Sequence, residues 1–164
     1  MNQYQNSYIG LSVDFPENWR FWYWGNRNGV LANPEIRQAS FEDLPSEKSP
    51  HKILVTSFSC FEKGSPLVKG ALELVALFRP NGIDLEHEVP RNESEISRTY
   101  GSSIVAGNTA TLLNVEAQGE GYVRYTRYYH WPLRSNIWLG CVISGSSHEK
   151  FNEAINILEN IKSV

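Results

Sequence analysis

The chain has 164 residues and a mass of 18.7 kDa, with 41% apolar and 20% charged residues, a net charge of −3 and an isoelectric point of about 5.8. This is one domain's worth of polymer, large enough to bury a core without a metal or disulfide staple, and it excludes a disordered chain or a polyphosphate binder working by bulk positive charge. Aromatic residues reach 12%, and eleven of the twenty fall in two windows, residues 15–24 and 122–131.

The opening MNQYQNSY has neither a basic start nor an apolar core, so no secretory signal is read there, and the first cysteine, Cys60, stands too far in for a lipoprotein. A cytoplasmic location is the expectation. No window approaches the roughly 18 apolar residues of a membrane helix, so no membrane span is expected. Leu11, Val13 and Phe15 alternate with Ser12 and Asp14 as a half-buried strand, which Pro16 ends. After a turn at 16–18, Trp19 to Trp24 is apolar on both faces: Trp19, Phe21 and Tyr23 on one, Trp22 and Trp24 on the other. Asn26 to Gly29 carries turn residues. Ala32 to Pro50 is polar with three prolines and is read as a surface insertion in a single domain spanning 1–164.

Residues 52–61 form a strand covered on both faces. Ser65 and Pro66 then supply an N-cap and first-turn proline for a helix whose stripe is Leu67, Val68, Ala71, Leu72, Val75 and Phe78. Arg79 to Gly82 stops it. Asp84 to Glu95 is acidic and irregular, opposed by Arg91 and His87, with a short strand or edge expected inside it. A meander of strands follows at 104–107, 109–117, 122–131 and 137–144, with turns at 107–108, 119–121 and 132–136. Ser146 with Glu149 reads as a capping box, and Phe151, Ala154, Ile155, Leu158 and Ile161 as the buried face of a closing helix. Strands dominate and the helices are far apart, so the class is α+β with a largely antiparallel sheet and helices packed on its faces. Cys60 and Cys141 lie in strand-like runs and read as buried thiols rather than a disulfide.

Chemistry finds little purchase. Asp84, Glu86, His87 and Glu88 are the best metal candidates, but strand alternation would give two ligands at most on one face, so the segment reads as solvated and no metal is assigned. His51, His130 and His148 are isolated in sequence, without H-x-x-x-H or C-x-x-C spacing. Gly145-Ser146-Ser147-His148 puts serines beside a histidine, yet capping accounts for them; there is no nucleophile elbow or phosphate loop. Neither a catalytic residue nor a cofactor is assigned. Tyr122, Tyr125, Tyr128, Tyr129 and Trp131 interleave with Arg124 and Arg127; cross-strand pairing explains that strand better than base stacking in an acidic domain, so no nucleic-acid partner is expected.

Three passages resemble the PsbP/Mog1-like superfamily, which includes the bacterial DcrB-like domains. Tyr8 to Trp19, with its Phe15-Pro16-x-x-Trp19 pattern, is similar to that family's glycine, short strand and hydrophobic-proline-x-x-tryptophan opening. Ile104 to Ala110, with Gly107 and Ala110, resembles its turn between strands, and the strand at 137–144 with the helix behind it resembles its close. The resemblance implies an antiparallel sheet with helices on its faces and a role in binding proteins rather than catalysis. It assigns no functional residue: Phe15, Pro16, Trp19, Gly107 and Ala110 shape the fold.

The expected function is therefore a non-enzymatic accessory or chaperone-like domain that binds another protein or a second copy of itself. Both faces of the strand from Trp19 to Trp24 need cover, so either the insertion from Ala32 to Pro50 folds over the second face or that face is presented to a partner, with Trp22, Tyr23 and Trp24 as the candidate contact. The alternative is a small apolar ligand in an aromatic-lined pocket beside Trp19, Phe21 or Tyr129, and hydrolysis stands third.

Overall fold

Alternating apolar residues become strands over most of this chain. The computed structural model describes residues 2–6, 10–17, 19–25, 30–32, 47–48, 54–61 and 68–163, with side chains at 3, 10–17, 19, 47–48, 72, 74 and 77–163. In chain order its elements are β1 (Asn2–Asn6), β2 (Leu11–Phe15), β3 (Trp19–Gly25), β4 (Val30–Ala32), β5 (Leu54–Phe61), β6 (Val68–Phe78), α1 (Leu85–Glu88), β7 (Glu95–Val105), β8 (Asn108–Gln118), β9 (Val123–Arg134), β10 (Ile137–Gly145), α2 (His148–Glu159) and β11 (Lys162–Ser163). The strands form a three-stranded sheet, β1-β2-β11, and an eight-stranded sheet, β4-β3-β5-β6-β10-β9-β8-β7. All their pairings are antiparallel. This is the α+β class expected.

The predicted helix at 66–78 is instead β6. Leu67 to Phe78 is close to a continuous apolar run, and such a run cannot be told from a buried helix by periodicity alone. β6 lies mid-sheet, with Leu72 opposite both Phe58 and Ile143. Two full ladders of backbone hydrogen bonds outweigh the small helix preference of its Ala, Leu and Glu residues. Leu72 and Leu74, two positions apart, are both buried.

Three local expectations also change. The acidic segment contains a helical turn rather than a strand: Asp84 caps α1 by accepting from the Glu86 N–H at 3.0 Å. β9 runs through Pro132, which lies past the end of the β8 ladder at His130, where a missing N–H breaks no bond to that neighbour. Its hairpin turn is consequently Ser135-Asn136, with Asn136 in the left-handed region at φ 63°. The cap of α2 is Ser147, whose Oγ accepts from the Lys150 N–H at 3.3 Å, and not Ser146.

α2 buries Phe151, Ala154, Ile157 and Leu158, with Ile161 just beyond; Ile155 is only half-buried. They pack with Leu72, Leu74, Leu139, Cys141 and Ile143 of the large sheet, and with Leu11, Val13 and Phe15 of the small one. Gly145 lets α2 come this close, because a Cβ there would meet the Phe151 backbone nitrogen at 2.6 Å. A second, smaller cluster forms on the opposite face, where Leu85 and Val89 cover Leu113, Val115 and Tyr128. The expected turn at 26–29 and nearly all of the expected insertion, residues 33–46 and 49–50, fall outside the described residues.

Candidate functional site

β7 is the outermost strand of the large sheet, and among the described residues nothing pairs with its outer side. The two-residue turn Ala106-Gly107 joins it to β8, with φ of 49° and 79°. Such a turn suits the strands' own twist, and it makes Val105 and Asn108 the closing hydrogen-bonded pair. By alternation, the backbone N–H and C=O groups of Arg98, Tyr100, Ser102 and Ile104 then point outward. The side chains of these residues share one face, beside Val115, Leu113, Thr111 and Thr109. Three large apolar side chains stand in water along this strand: Ile96 is 55% exposed, Tyr100 52% and Ile104 60%.

Arg98 anchors the base of this edge. Its side chain is 2% exposed, lying between Glu95 (Nη2 to Oε1, 2.6 Å), the Val89 carbonyl (Nη1 to O, 2.9 Å) and Glu86 (3.5 Å). Arg91 reaches Glu86 at 3.0 Å, and Arg79 grips Glu88 through two bonds of 2.6 and 3.2 Å. These hydrogen bonds hold the Glu88 and Glu95 carboxyls below the usual carboxylate range. The acidic segment is largely exposed to solvent, and Glu86, Glu88 and Glu95 within it form the ion pairs that fasten α1 over the sheet. Among the described residues, no three His, Cys, Asp or Glu side chains converge as metal ligands.

Beside α1 lies an open cleft of about 670 Å³, walled by Arg79, Asn81, Ile83, His87 and Glu88. His130 of β9 is buried at 6% exposure, and its Nδ1 has no hydrogen-bond partner among the described residues. Burial pushes its pKa down to about 4; Glu88 opposes that shift and Arg79 adds to it. The imidazole is therefore neutral at pH 7. The cleft walls are charged, polar and aliphatic.

On the α2 side, the aromatic and arginine residues of β9 form an internal network. Arg127 donates to Asn114 at 2.5 Å and to the Tyr129 hydroxyl at 2.9 Å, and its guanidinium lies 5.6 Å from the centre of the Phe151 ring. Burial pushes the Tyr129 phenol up to about 12, although Arg127 pulls the other way. The Arg127–Asn114 bond crosses to β8, whereas the Arg127–Tyr129 pair lies within β9.

Trp22, Tyr23 and Trp24 lie on β3 in register with Ser57, Thr56 and Val55; their side chains are outside the described residues. Phe15, Trp19 and Ala110 are buried in the main core. The Pro16 carbonyl accepts from the Trp19 N–H at 3.0 Å, and the Trp19 indole donates to Glu153 of α2 at 2.6 Å, so the Phe-Pro-x-x-Trp pattern ties the small sheet, the large sheet and α2 together. Gly107 sits in the β7–β8 turn. The β7 edge was missed in the sequence. Its signal is the spacing of Ile96, Tyr100 and Ile104, every fourth residue, diluted by Ser, Thr, Arg and Gly between them.

No family model and no curated relative matches the sequence. In structure the chain is similar to LpqN of Mycobacterium tuberculosis, involved in cell envelope biogenesis, with a TM-score of 0.54, 12% identity, and coverage of 93% of this chain and 82% of LpqN. It is also similar to a protein of Bacteroides thetaiotaomicron, with a TM-score of 0.51 and 14% identity over 94% of this chain. That match takes in 45% of the Bacteroides protein, so this chain spans less than half its length. At these identities the likeness is one of fold. No helix among the described residues is long and apolar enough to cross a membrane.

Proposed function

We propose that this chain is a non-catalytic protein-binding domain of the PsbP/Mog1-like kind, and that it takes its partner along the outer edge of β7. The carrying observation is the row Ile96, Tyr100 and Ile104, half exposed or more on a strand whose outer side is unpaired among the described residues. An added strand satisfies outward N–H and C=O groups that water otherwise solvates, and alternate side chains supply specificity. The Phe15-Pro16-x-x-Trp19 junction and the close on β10 and α2 support the family assignment. Trp22, Tyr23 and Trp24 remain a second proposed contact, on a strand near the other end of the sheet.

The test places a photo-crosslinking amino acid at position 100 or 104 in the producing cell, with Glu149, exposed on α2, as the control position. Discrete protein adducts at 100 and 104, absent at 149, are the expected result. Equal or no labelling at all three positions overturns the proposal.

A further inference from the structure

We infer that the partner is a second copy of this chain, its β7 laid antiparallel against the first with Tyr100 on the two-fold axis. This rests on the protein-binding role of the β7 edge and adds the identity of the partner. β7 spans residues 95–105, so Tyr100 is its midpoint. Pairing two copies about that midpoint sets Tyr100 against Tyr100, and Ile96 of each copy against Ile104 of the other. Arg98 then faces Ser102. The exposed apolar residues are symmetric about the strand centre, as a two-fold interface requires of a surface that must match itself.

The backbone agrees with this register. Even-numbered positions from 98 to 104 turn their N–H and C=O groups outward, and this alignment pairs even positions with even ones, so the outward groups of each copy meet those of the other. The electrostatics permit it as well. Glu95 and Arg98 are the only charged residues of β7, and they neutralise each other at 2.6 Å. β7 has no lysine or proline of the sort that guards natural edges, and its one bulge, between Glu95 and Ser97, falls at Ile96, the last position of the row. Each of the three apolar side chains leaves on the order of 100 Å² in water. Six of them, with two backbone edges, approach the roughly 1,000 Å² expected of a specific interface. The product is a continuous sixteen-stranded sheet with both α1 clamps on the same side, since a two-fold axis normal to the sheet keeps each face on its own side.

Cysteine pairing tests the register directly. Opposed residues of a hydrogen-bonded antiparallel pair have Cα atoms about 5.5 Å apart, within disulfide reach. Tyr100→Cys should therefore link to itself under mild oxidation, giving a species of twice 18.7 kDa that the wild-type chain, with Cys60 and Cys141, does not give. Ile96→Cys alone should not, since its own copies would lie eight residues, about 27 Å, apart; mixed with Ile104→Cys it should. In sedimentation the wild-type chain should double its mass with rising concentration, while Tyr100→Lys and Ile104→Lys each raise the midpoint at least 10-fold with unchanged thermal melting. A wild-type chain that stays at 18.7 kDa to about 100 μM overturns the self-pairing, as does Ile96→Cys linking to itself as readily as Tyr100→Cys. Photo-adducts at position 100 of a mass other than the chain's own would overturn the self-pairing yet leave the protein-binding role standing; a monomer without adducts ends both.

Discussion

The two faces of the large sheet solve the same burial problem differently. On one, α2 and the small sheet cover Leu72, Leu74, Leu139, Cys141 and Ile143, and the polar groups there are tied inward, as in the Trp19–Glu153 and Arg127–Tyr129 bonds. On the other, the described cover is one helical turn, held by Arg79, Arg91 and Arg98 rather than by a broad apolar stripe. The first face specifies the fold. The second leaves its outermost strand with apolar side chains in water, and that contrast is where function has room to operate.

The largest blow to the covered face is Trp19→Ala. Losing a buried indole costs about 3 to 5 kcal/mol, and Glu153 also loses its donor, so thermal melting should fall by roughly 10 °C or more. A fall under about 3 °C would mean that Trp19 does not fasten α2.

On the other face, His130 makes stability depend on acid. Its folded pKa, near 4, lies below the ordinary 6.5, so between those values the unfolded chain binds the extra proton and acid favours unfolding. The stabilisation is complete above pH 6.5 and is lost as pH falls toward 4. Urea unfolding at pH 7.5 and 4.5 should differ by about 2 to 3 kcal/mol from this group, and His130→Leu should remove that portion. An unchanged difference in the variant would place the acid sensitivity elsewhere.

Gly145→Ala should act against α2 alone. With the Phe151 backbone in the way, helix or strand must shift, at about 1 to 3 kcal/mol, visible as faster hydrogen exchange in α2 and not in β7. Equal acceleration in both would mean that the faces are mechanically one.

The smallest stability effect sharpens the comparison most. Replacing Ile96, Tyr100 and Ile104 by Thr, one at a time, should change unfolding free energy by no more than about 0.5 kcal/mol each while weakening association. A loss of several kcal/mol at any of them would return β7 to the core.

Much of this architecture is legible in the residues, for reasons that also mark where legibility ends. From Ile104 onward, alternation and Gly or Asn turns place four strands and a helix to within a few positions, except that β7 begins at Glu95. β6 is misread because a strand buried mid-sheet loses the period of two that identifies strands at the surface. β1, NQYQN, carries no apolar pattern; its conformation comes from pairing with β2. α1 depends on Arg79 and Arg98, which lie outside the acidic run and meet it only in the folded chain. Aromatic density draws attention to Trp22 and Trp24, whereas the half-exposed row on β7 is sparse in sequence and gains meaning only once β7 is known to be outermost.

The two-residue turn at Ala106-Gly107 has a consequence for the order of folding. It and the turn at Ser135-Asn136 let β7–β8 and β9–β10 zip from neighbouring residues, whereas β6 must bring Phe78 to Ile137 across the whole intervening segment. Short closures cost less entropy and form first. The meander is therefore the expected nucleus: Leu113→Ala should mainly slow refolding, and Leu72→Ala should mainly speed unfolding, with the reverse pattern counting against this order. On that schedule the outer edge of β7 is presented before α2 closes the core, so association along it can precede completion of the fold.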